Sequence, residues 1–383
     1  MTREPRILIV SASIGSGHNQ AALAIKEQLH CQYPQAHVDI VDFLTYGGGS
    51  TWGNFIKDTY LKMLHVFPDM YDFLYRWTSG RGHRVKNLLA YSSKKRMQKL
   101  YQQYLPDILV FTHPFPCAAA AYLRRKGLLD TPLAAVVTDF AVHPLWIYEE
   151  VDIYCIADDT LKLQLMIKGI EPSRVVASGI PISRRFAEMR KNTELDSQLG
   201  LRQDDPVIMI MGGGLGLGPL AEVLESIEQF ATRLQMIVVA GNNTEIMPYL
   251  ENKAKVSRHD IYIFGFTSEV DTLMGMAQLL ITKPGGLTTS EALTKGLPML
   301  LVPAIPGQEE ENATFLVRQG TAIRVRDIGA IPRHLHRLLV KKPEVLQSLK
   351  QAAERLAKPE AASHIAGFVL RLAKSFASQR SAG

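Results

Sequence analysis

Two short apolar segments, each running into a glycine-rich loop, constrain the fold of this sequence more than any other feature. Arg6–Val10 leads to the loop Gly15–Gly17, and Val207–Met211 leads to Gly212–Gly214. In each half of the chain, further apolar segments alternate with helical stretches. Strands that alternate with helices form parallel sheets through right-handed crossovers. The sequence therefore predicts an α/β fold with two Rossmann-like domains facing a central cleft, with ligands bound beyond the carboxyl ends of the strands.

The domain boundaries follow from where this pattern stops and restarts. The other predicted strands are His37–Phe43, Asp107–Thr112, Leu133–Thr138, Asp152–Ile156 and Val175–Ile180 in the first half, and Met236–Ala240, Ile261–Phe264, Leu279–Thr282 and Met299–Val302 in the second. A polar helical stretch over 184–200 is the predicted linker. We expect an N-terminal domain over 1–185, a second domain over 200–360, and a C-terminal helix over 361–383 that packs back toward the first domain.

The composition is that of a folded globular protein. Of 383 residues, 46% are hydrophobic and 21% are charged, which excludes a disordered chain and a collagen-like repeat. No apolar run reaches the roughly 18 residues that span a bilayer, and the short polar start is unlike a signal peptide. Cys31, Cys117 and Cys155 form no CxxC pair, so neither a disulfide framework nor a zinc site is expected. These features predict a cytoplasmic location.

The positive charge is concentrated in one segment. Lys and Arg outnumber Asp and Glu by 43 to 37 over the whole chain, whereas residues 52–104 alone hold ten basic and three acidic residues. This basic aromatic segment also holds 11 of the 30 aromatic residues. Such a composition suits an anionic membrane interface. It also fits two packed helices with a solvated basic face, while no sequence pattern supports nucleic-acid binding.

The segment Thr282–Ala292 has the composition of a phosphate-binding loop. A predicted strand ends, Gly285 and Gly286 allow close backbone approach, and a helix begins with hydroxyl side chains. The free N–H groups and the dipole of such a helix favour a diphosphate. Glu291, one turn into the helix, is then within reach of ribose hydroxyls. The alternative interpretation is a capped helix after a tight turn.

Two further loops after predicted strands carry polar groups. In Pro303–Ala313, Gln308 and Glu309 offer an amide and a carboxylate suited to sugar hydroxyls, although the acidic run also fits a first helical turn. In Phe264–Ser268, a ring and backbone groups could meet a nucleobase. Alone, this third loop is a weak signal.

Together these motifs resemble a known enzyme family. The pattern TKPGGLTxSEA followed by PGQExxNA resembles the donor half of glycosyltransferase family 28. The pattern SxGxGHxxAA at Ser13–Ala22 and the stretch Val137–Trp146 are similar to the diacylglycerol glycosyltransferases, which include plant monogalactosyldiacylglycerol synthases and bacterial processive diacylglycerol glucosyltransferases. The resemblance covers the chain from about residue 7 to about residue 320.

The resemblance implies a GT-B fold, a UDP-sugar donor and inversion at the anomeric carbon. It assigns the diphosphate and ribose to Lys283, Gly285, Gly286, Thr288 and Glu291, the uracil to Phe266 and Thr267, and the sugar to Gln308, Glu309 and Asn312. Gly213 would contribute backbone amides to the donor. Gly15, Gly17 and His18 would line the acceptor side, with His143, and also His113, shaping the acceptor cleft.

An inverting transfer needs a base and a way to stabilise the departing UDP. His18 is the preferred base, because the positive end of the helix that it begins lowers its pKa and keeps it neutral near pH 7. Asp139 is the alternative, either as the base or as the group that orients the histidine. Lys283 and the helix N-terminus would stabilise the diphosphate. The sequence has no Asp-x-Asp triplet, so we expect no metal and no other cofactor.

In this family, the corresponding part of the N-terminal domain faces the membrane that holds the lipid acceptor. The resemblance therefore favours the membrane interpretation of the basic aromatic segment. Lys94, Lys95 and Arg96 would meet anionic headgroups, and Trp52, Phe55 and Trp77 would enter the acyl region. We expect peripheral binding at the inner face of the cell membrane, weakened by salt.

The predicted function is transfer of a hexose, glucose in preference to galactose, from a UDP-sugar to diacylglycerol. The partners are the donor, the lipid acceptor and an anionic membrane surface, without nucleic acid. Three alternatives remain: N-acetylglucosaminyl transfer to a lipid-linked cell-wall precursor, a UDP-sugar epimerase, and a non-catalytic UDP-sugar sensor on the same fold. An NAD-dependent dehydrogenase is disfavoured because the loop after the first strand lacks the third glycine of the dinucleotide-binding pattern.

Overall fold

The chain divides into two compact units. In the computed structural model, the described residues are 4–13, 15–46, 82–188, 193–202, 204–216, 218–303 and 307–382. The first unit comprises residues 1–183 and 360–383 with the short stretch 306–308, and the second comprises 184–305 and 309–359. Each unit is built around one parallel β-sheet.

The first unit holds a six-stranded sheet in the order β2-β1-β3-β4-β5-β6. Its strands are β1 Arg6–Ser11, β2 His37–Asp42, β3 Ile108–Phe111, β4 Leu133–Val136, β5 Ile153–Cys155 and β6 Val175–Val176. Among the described residues up to 183, its helices are α1 Gly17–Gln32, α2 Gly82–Tyr104, α3 Pro114–Arg125 and α4 Lys162–Met166, with 3-10 turns at Pro144–Trp146, Asp159–Leu161 and Pro172–Arg174. Every neighbouring pair of strands is parallel.

The second unit holds a six-stranded parallel sheet in the order β12-β11-β10-β7-β8-β9. Its strands are β7 Val207–Met211, β8 Gln235–Val239, β9 Asp260–Phe264, β10 Leu279–Thr282, β11 Met299–Leu301 and β12 Ala322–Arg324. Its helices are α5 Thr193–Leu199, α6 Leu220–Ile227, α7 Met247–Val256, α8 Val270–Met276, α9 Gly286–Thr294, α10 Gln308–Arg318, α11 Ile331–Leu335 and α12 Pro343–Leu356. Short 3-10 turns at Arg184–Phe186, Thr244–Ile246 and Ile328–Ala330, and a π-helical stretch at His336–Lys341, complete the unit.

A last helix, α13 Ala361–Ala382, returns to the first unit. It packs on α1, and Ile365, Val369 and Ala373 are buried in the same core as the strand residues Ile7 and Ile9. The core of the second unit is separate and lies between its own sheet and helices. Because helices cover both faces of a parallel sheet, inner strands such as β3 and β7 are continuous apolar runs.

The predicted α/β fold with two Rossmann-like domains is confirmed. The predicted strands Val207–Met211 and Leu279–Thr282 have the predicted bounds, and the other predicted strands mostly start or end a few residues differently. The largest difference is at Val175–Ile180, where only Val175–Val176 is strand. Gly179, three residues further on, adopts a left-handed φ of 95°, so a strand could not have continued through the predicted range. The three-residue strand β12 was not predicted.

Both sheets reverse their strand order at one point. In the first sheet the reversal falls between β1 and β3, where Val10 is opposite Phe111. In the second it falls between β7 and β10, where Met211 is opposite Thr282. Connections leave such a point toward opposite faces of the sheet, which opens a crevice beyond the strand ends. The candidate site residues should therefore follow these four strands.

Among the described residues, no helix is both long and apolar enough to cross a bilayer.

The glycine-rich loop after β7 depends on a close backbone approach at Gly216. This residue has a φ of 66°, and a Cβ atom built on it would lie 2.0 Å from the Ala240 carbonyl oxygen. We expect Gly216→Ala to lower the free energy of unfolding by about 2–4 kcal/mol, because both the backbone strain and the overlap must be relieved. Urea unfolding of the purified variant measures this effect.

Gly275→Ala is the matched control for this substitution. Gly275 lies in helix α8, and no described atom is within 4 Å of its Cβ position. Its replacement should leave stability unchanged or raise it by up to about 1 kcal/mol. Equal urea midpoints for the two variants would contradict the proposed role of Gly216.

Candidate active site

His18 lies at the start of α1, directly beyond the carboxyl end of β1. Its Nδ1 atom is 2.7 Å from the carbonyl oxygen of Thr112, the residue that follows β3. The Thr138 hydroxyl, two residues beyond β4, is 3.0 Å from the same nitrogen. Because a carbonyl oxygen only accepts, Nδ1 must carry the hydrogen. In the neutral ring, Nε2 then keeps its lone pair and is the basic nitrogen.

The surroundings of His18 keep the imidazole neutral. Burial lowers the pKa of His18 to about 4, although the hydrogen bond to Thr112 opposes this shift. We predicted a lowered pKa from the helix N-terminus; the structure gives burial as the first cause. At pH 7 the ring is therefore an unprotonated base.

The other two histidines of this region cap helices. Nδ1 of His113 accepts a hydrogen bond from the Phe115 amide, and Nδ1 of His143 accepts one from the Leu145 amide, each at 3.2 Å. Both histidines are followed by proline, which suits the first helical position. The His113 ring also meets His18 edge to face, with 4.6 Å between ring centroids. Burial, followed by the charge of His18, holds the pKa of His113 well below its usual range.

We define residues 137–146 as the acceptor-side loop. This loop contains Thr138, Asp139 and His143. Asp139 is partly buried and directly follows Thr138, so it lies within one residue of a His18 contact. Gly15, which precedes α1, has a φ of 93°. This left-handed conformation requires glycine, whereas Gly17 is the first helical residue.

Lys283 and Glu309 form the central ion pair of the second unit. Lys283 follows β10 and Glu309 lies in the first turn of α10, with 2.5 Å between Nζ and Oε1. A Cβ atom on Gly213, which has a φ of 76°, would lie 3.1 Å from the Lys283 Cε atom. The loops after β7 and β10 therefore meet at the reversal of the second sheet, and Gln308 begins the adjacent helix.

Helix α9 begins immediately after this ion pair. Its N-cap is Gly285, and among the described residues no side chain caps its first N–H groups. The hydroxyls of Thr289 and Ser290 donate to the carbonyls of Gly285 and Gly286 instead. Thr288 is partly exposed. The first turn of α9 therefore leaves backbone N–H groups available for an anion.

Glu291 is a partly buried carboxyl group near the buried carboxylate of Asp271. Burial, and then the charge of Asp271, raise the pKa of Glu291 to about 8. Asp271, in the first turn of α8, is 2% exposed, and its Oδ2 atom has no hydrogen-bond partner among the described residues. Glu291 is therefore mostly protonated near pH 7.

The structure shows the contacts or exposure of three further residues that were predicted to bind the donor. Asn312 is buried, and its amide donates to the Pro284 carbonyl over 3.1 Å, so it ties α10 to the loop after β10. The Thr267 hydroxyl accepts from the Glu269 amide at the turn before α8. The Phe266 ring is 67% exposed, as a ring that stacks on a base would need to be.

In the described part of the basic aromatic segment, the three basic residues predicted to meet headgroups differ in their contacts. Arg96 donates from Nη1 to the Phe43 and Leu44 carbonyls, so it holds the chain after β2 and is not a free surface charge. Lys95 is exposed, and Lys94 lies 3.6 Å from the centre of the Tyr91 ring. The predicted membrane residues Trp52, Phe55 and Trp77 lie outside the described residues.

Sequence reasoning missed three residues that the structure brings into these sites: Thr112, Thr138 and Asp271. The two threonines come at or just after the carboxyl end of a buried strand, and this position was the available signal. Among the described residues, no group of three or more His, Cys, Asp or Glu side chains is arranged to hold a metal ion.

Comparison with known proteins gives matches over both units. Residues 18–182 match the family model for monogalactosyldiacylglycerol (MGDG) synthase, and residues 207–366 match the glycosyltransferase family 28 C-terminal domain. The chain is 32% identical over 374 residues to a processive diacylglycerol beta-glucosyltransferase of Bacillus cereus (strain B4264), with 97% of this chain and 94% of the relative covered.

Solved structures share the fold at low sequence identity. MurG of Acinetobacter baumannii has a TM-score of 0.62 and 17% identity, covering 96% of this chain and all of that one. The UDP-GlcNAc 2-epimerase of Neisseria meningitidis, bound to UDP-GlcNAc, has a TM-score of 0.62 and 14% identity, covering 96% and 100%. These likenesses confirm the GT-B fold, and they do not separate transferases from epimerases.

The raised pKa of Glu291 predicts how stability depends on pH. Between the unfolded pKa of about 4.5 and the folded pKa of about 8, the folded state holds a proton that the unfolded state has released. The contribution of Glu291 to the free energy of unfolding therefore falls as the pH rises through that range. Relative to the wild type, Glu291→Gln should gain at least about 1 kcal/mol of stability between roughly pH 5 and pH 8.5.

Urea unfolding at the two pH values tests this expectation. The exposed Glu251 of α7, changed to Gln, is the control and should show no comparable gain. A constant difference between wild type and Glu291→Gln at both pH values would show that Glu291 is not protonated in the folded protein.

Proposed function

The chain belongs to the diacylglycerol glycosyltransferases of glycosyltransferase family 28, and we propose that it transfers glucose from UDP-glucose to diacylglycerol at a membrane surface, with inversion. Membership of this family makes it a hexosyltransferase that acts on diacylglycerol. The preference for glucose rests on the name of the relatives. The β-linkage in that name supports inversion, because the sugar in UDP-glucose is α-linked. The neutral His18 with a fixed tautomer carries the catalytic part of the proposal.

In this mechanism His18 is the general base. As the acceptor oxygen attacks the anomeric carbon, Nε2 takes the hydroxyl proton and UDP leaves with the electron pair of the glycosidic bond. The resulting imidazolium keeps its Nδ1 hydrogen on the Thr112 carbonyl, with the Thr138 hydroxyl as a second acceptor. A base with a pKa of about 4 is weak. The proton therefore moves late, when bond formation has made the acceptor oxygen acidic.

The second unit would hold the donor. The diphosphate binds the N–H groups of α9 and the Lys283 ammonium, and both stabilise the negative charge that develops on UDP. Lys283 is paired with Glu309 in this structure. When the Lys283 ammonium pairs with the diphosphate instead of Glu309, the Glu309 carboxylate can accept hydrogen bonds from sugar hydroxyls. Gln308, beside it, supplies an amide to the same sugar.

Glu291 would bind the ribose. An ionised carboxylate accepts hydrogen bonds from two ribose hydroxyls, and these bonds favour the charged form. Because Glu291 is mostly protonated without ligand near pH 7, ribose binding would release its proton. The exposed Phe266 ring is placed after β9 to stack on the uracil.

The remaining features of the proposal concern the surface and the absence of a metal. Lys94 and Lys95 on α2 would meet anionic headgroups at the inner face of the cell membrane, with Arg96 supporting the chain behind them. Lys283 and the helix N-terminus provide the charge stabilisation that a divalent ion supplies elsewhere. Transfer should therefore persist in the presence of EDTA.

The three alternatives differ from this function in what they do with a UDP-sugar. An epimerase converts it without an acceptor, a cell-wall transferase uses N-acetylglucosamine and a lipid-linked precursor, and a sensor converts nothing. The shared fold does not favour any of them. The match to diacylglycerol glucosyltransferases over 97% of the chain favours the proposed reaction.

A donor and acceptor assay tests the proposal directly. We expect labelled glucose from UDP-glucose to enter the lipid phase when diacylglycerol is supplied in anionic vesicles with EDTA present. UDP-galactose and UDP-N-acetylglucosamine are the comparison donors. Loss of all transfer on adding EDTA would contradict metal independence. No lipid-soluble product from any donor, despite UDP binding, would overturn the proposed function.

Replacement of His18 tests the assignment of the base. His18→Ala should lower turnover by about 10²–10⁴-fold, the usual contribution of a general base. UDP binding, measured by calorimetry, should be unchanged because the donor residues lie in the other unit. Unchanged turnover would move the base role to Asp139, and Asp139→Asn is the variant to compare.

Replacement of Thr138 tests the contribution of its hydrogen bond with His18, for which a smaller effect is expected. Thr138→Val removes one of the two acceptors of the Nδ1 hydrogen and should lower turnover by about 10-fold, as expected for a hydrogen bond to a charged group. Thr138→Ser keeps the hydroxyl and should retain most of the activity. Equal activity of the Val and Ser variants would remove Thr138 from the mechanism.

A further inference from the structure

Helix α4 exposes apolar side chains to an unusual extent. The exposed fractions are 61% for Leu163, 43% for Met166 and 72% for Ile167. Residues spaced three and four apart lie on one face of a helical turn, and we call these three residues the α4 apolar face. Leu161 and Leu165 point inward and are buried. The exposed residues therefore add nothing to the core of the first unit.

The α4 apolar face lies beside the acceptor-side loop. Helix α4 follows β5 and so begins at the carboxyl edge of the sheet, where His18 is also located. The Gln164 side chain, between Leu163 and Leu165, accepts a hydrogen bond from the Val142 amide over 3.3 Å. This contact fixes α4 to the loop that carries Asp139 and His143.

The charges around this face do not oppose an anionic surface. Asp159 is paired with Lys162, and Glu171 is paired with Arg174. The Asp158 carboxylate accepts hydrogen bonds from the Thr160 amide and hydroxyl. Lys168, directly after the face, is exposed and has no acidic partner among the described residues.

We propose that the α4 apolar face inserts into the interfacial region of a lipid bilayer and holds the acceptor-side loop at the depth of the diacylglycerol hydroxyl. This inference rests on the proposed function. Diacylglycerol keeps its two acyl chains in the bilayer because their transfer to water is strongly unfavourable. The loop must therefore come to the lipid, and the surface next to the loop must tolerate the acyl boundary.

The small size of the face favours lipid over a protein partner. A stable protein interface buries roughly 800 Å² on each side, which is more than three side chains on a five-residue helix provide. Interfacial insertion needs only a few apolar side chains beside cations, and it supplements electrostatic attraction. Unlike binding through Lys94 and Lys95, the contribution of this face should persist at high salt.

The double variant Leu163→Gln/Ile167→Gln tests the inference. We expect its partitioning onto vesicles of phosphatidylcholine, phosphatidylglycerol and diacylglycerol to fall by about 10-fold or more, as expected when two apolar side chains leave the interface. The loss should be equal at low and high salt. Transfer to short-chain diacylglycerol dispersed in detergent should stay near the wild-type rate.

Val256→Gln is the matched control, because Val256 is 79% exposed and also follows a lysine, at the end of α7 in the other unit. It should partition like the wild type. The single variant Ile167→Gln should give an intermediate loss. Thermal unfolding should show the same midpoint for all variants, since each changed side chain is exposed.

Wild-type partitioning of the double variant would overturn the inference, and so would failure of the wild type to bind the vesicles. Loss of a dimer in the double variant, seen by size-exclusion chromatography with light scattering, would instead identify a second copy of the chain as the occupant. Failure of the proposed function is distinct, since the wild type would then glucosylate neither vesicle-bound nor detergent-dispersed diacylglycerol.

Discussion

The reversal of strand order in each parallel sheet is the constraint on which both sites depend. At a reversal, the loops after two neighbouring strands diverge toward opposite faces and leave backbone groups accessible between them. In the first sheet this brings the Thr112 carbonyl to the His18 ring. In the second it brings the loop of Gly213 against Lys283. The same backbone geometry therefore fixes the His18 imidazole in one unit and places a glycine loop against the Lys283 side chain in the other.

Much of this arrangement could be predicted because a parallel sheet imprints a simple pattern on the sequence. Strands buried on both faces are continuous apolar runs, so Val207–Met211 and Leu279–Thr282 were predicted with their observed bounds. Glycines mark the loops that follow, which led to His18 and Lys283. The three-residue β12, Ala322–Arg324, ends in an exposed arginine, and such a short run carries no periodic signal.

The remaining features depend on contacts between distant parts of the chain. Thr112 and Thr138 meet His18 across sequence separations of 94 and 120 residues, and no local pattern encodes such pairs. Two predicted site residues also have partners that residue type alone does not show. Arg96 and Asn312 suit a membrane and a sugar by their chemistry, yet backbone carbonyls at Phe43 and Pro284 take their donors. These carbonyls lie 53 and 28 residues away in the sequence, so no local pattern shows them.

The return of α13 to the first unit has a consequence for how the protein is made. The core around Ile7 and Ile9 includes Ile365 and Val369, which follow the whole of the second unit in the sequence. The second unit, 184–305 with 309–359, is synthesised before that helix. Until α13 has been synthesised, part of the core of the first unit is therefore uncovered, whereas the second unit can already fold. The core of the first unit therefore cannot be completed until the second unit has been synthesised, whereas domains generally fold in order from the N-terminus.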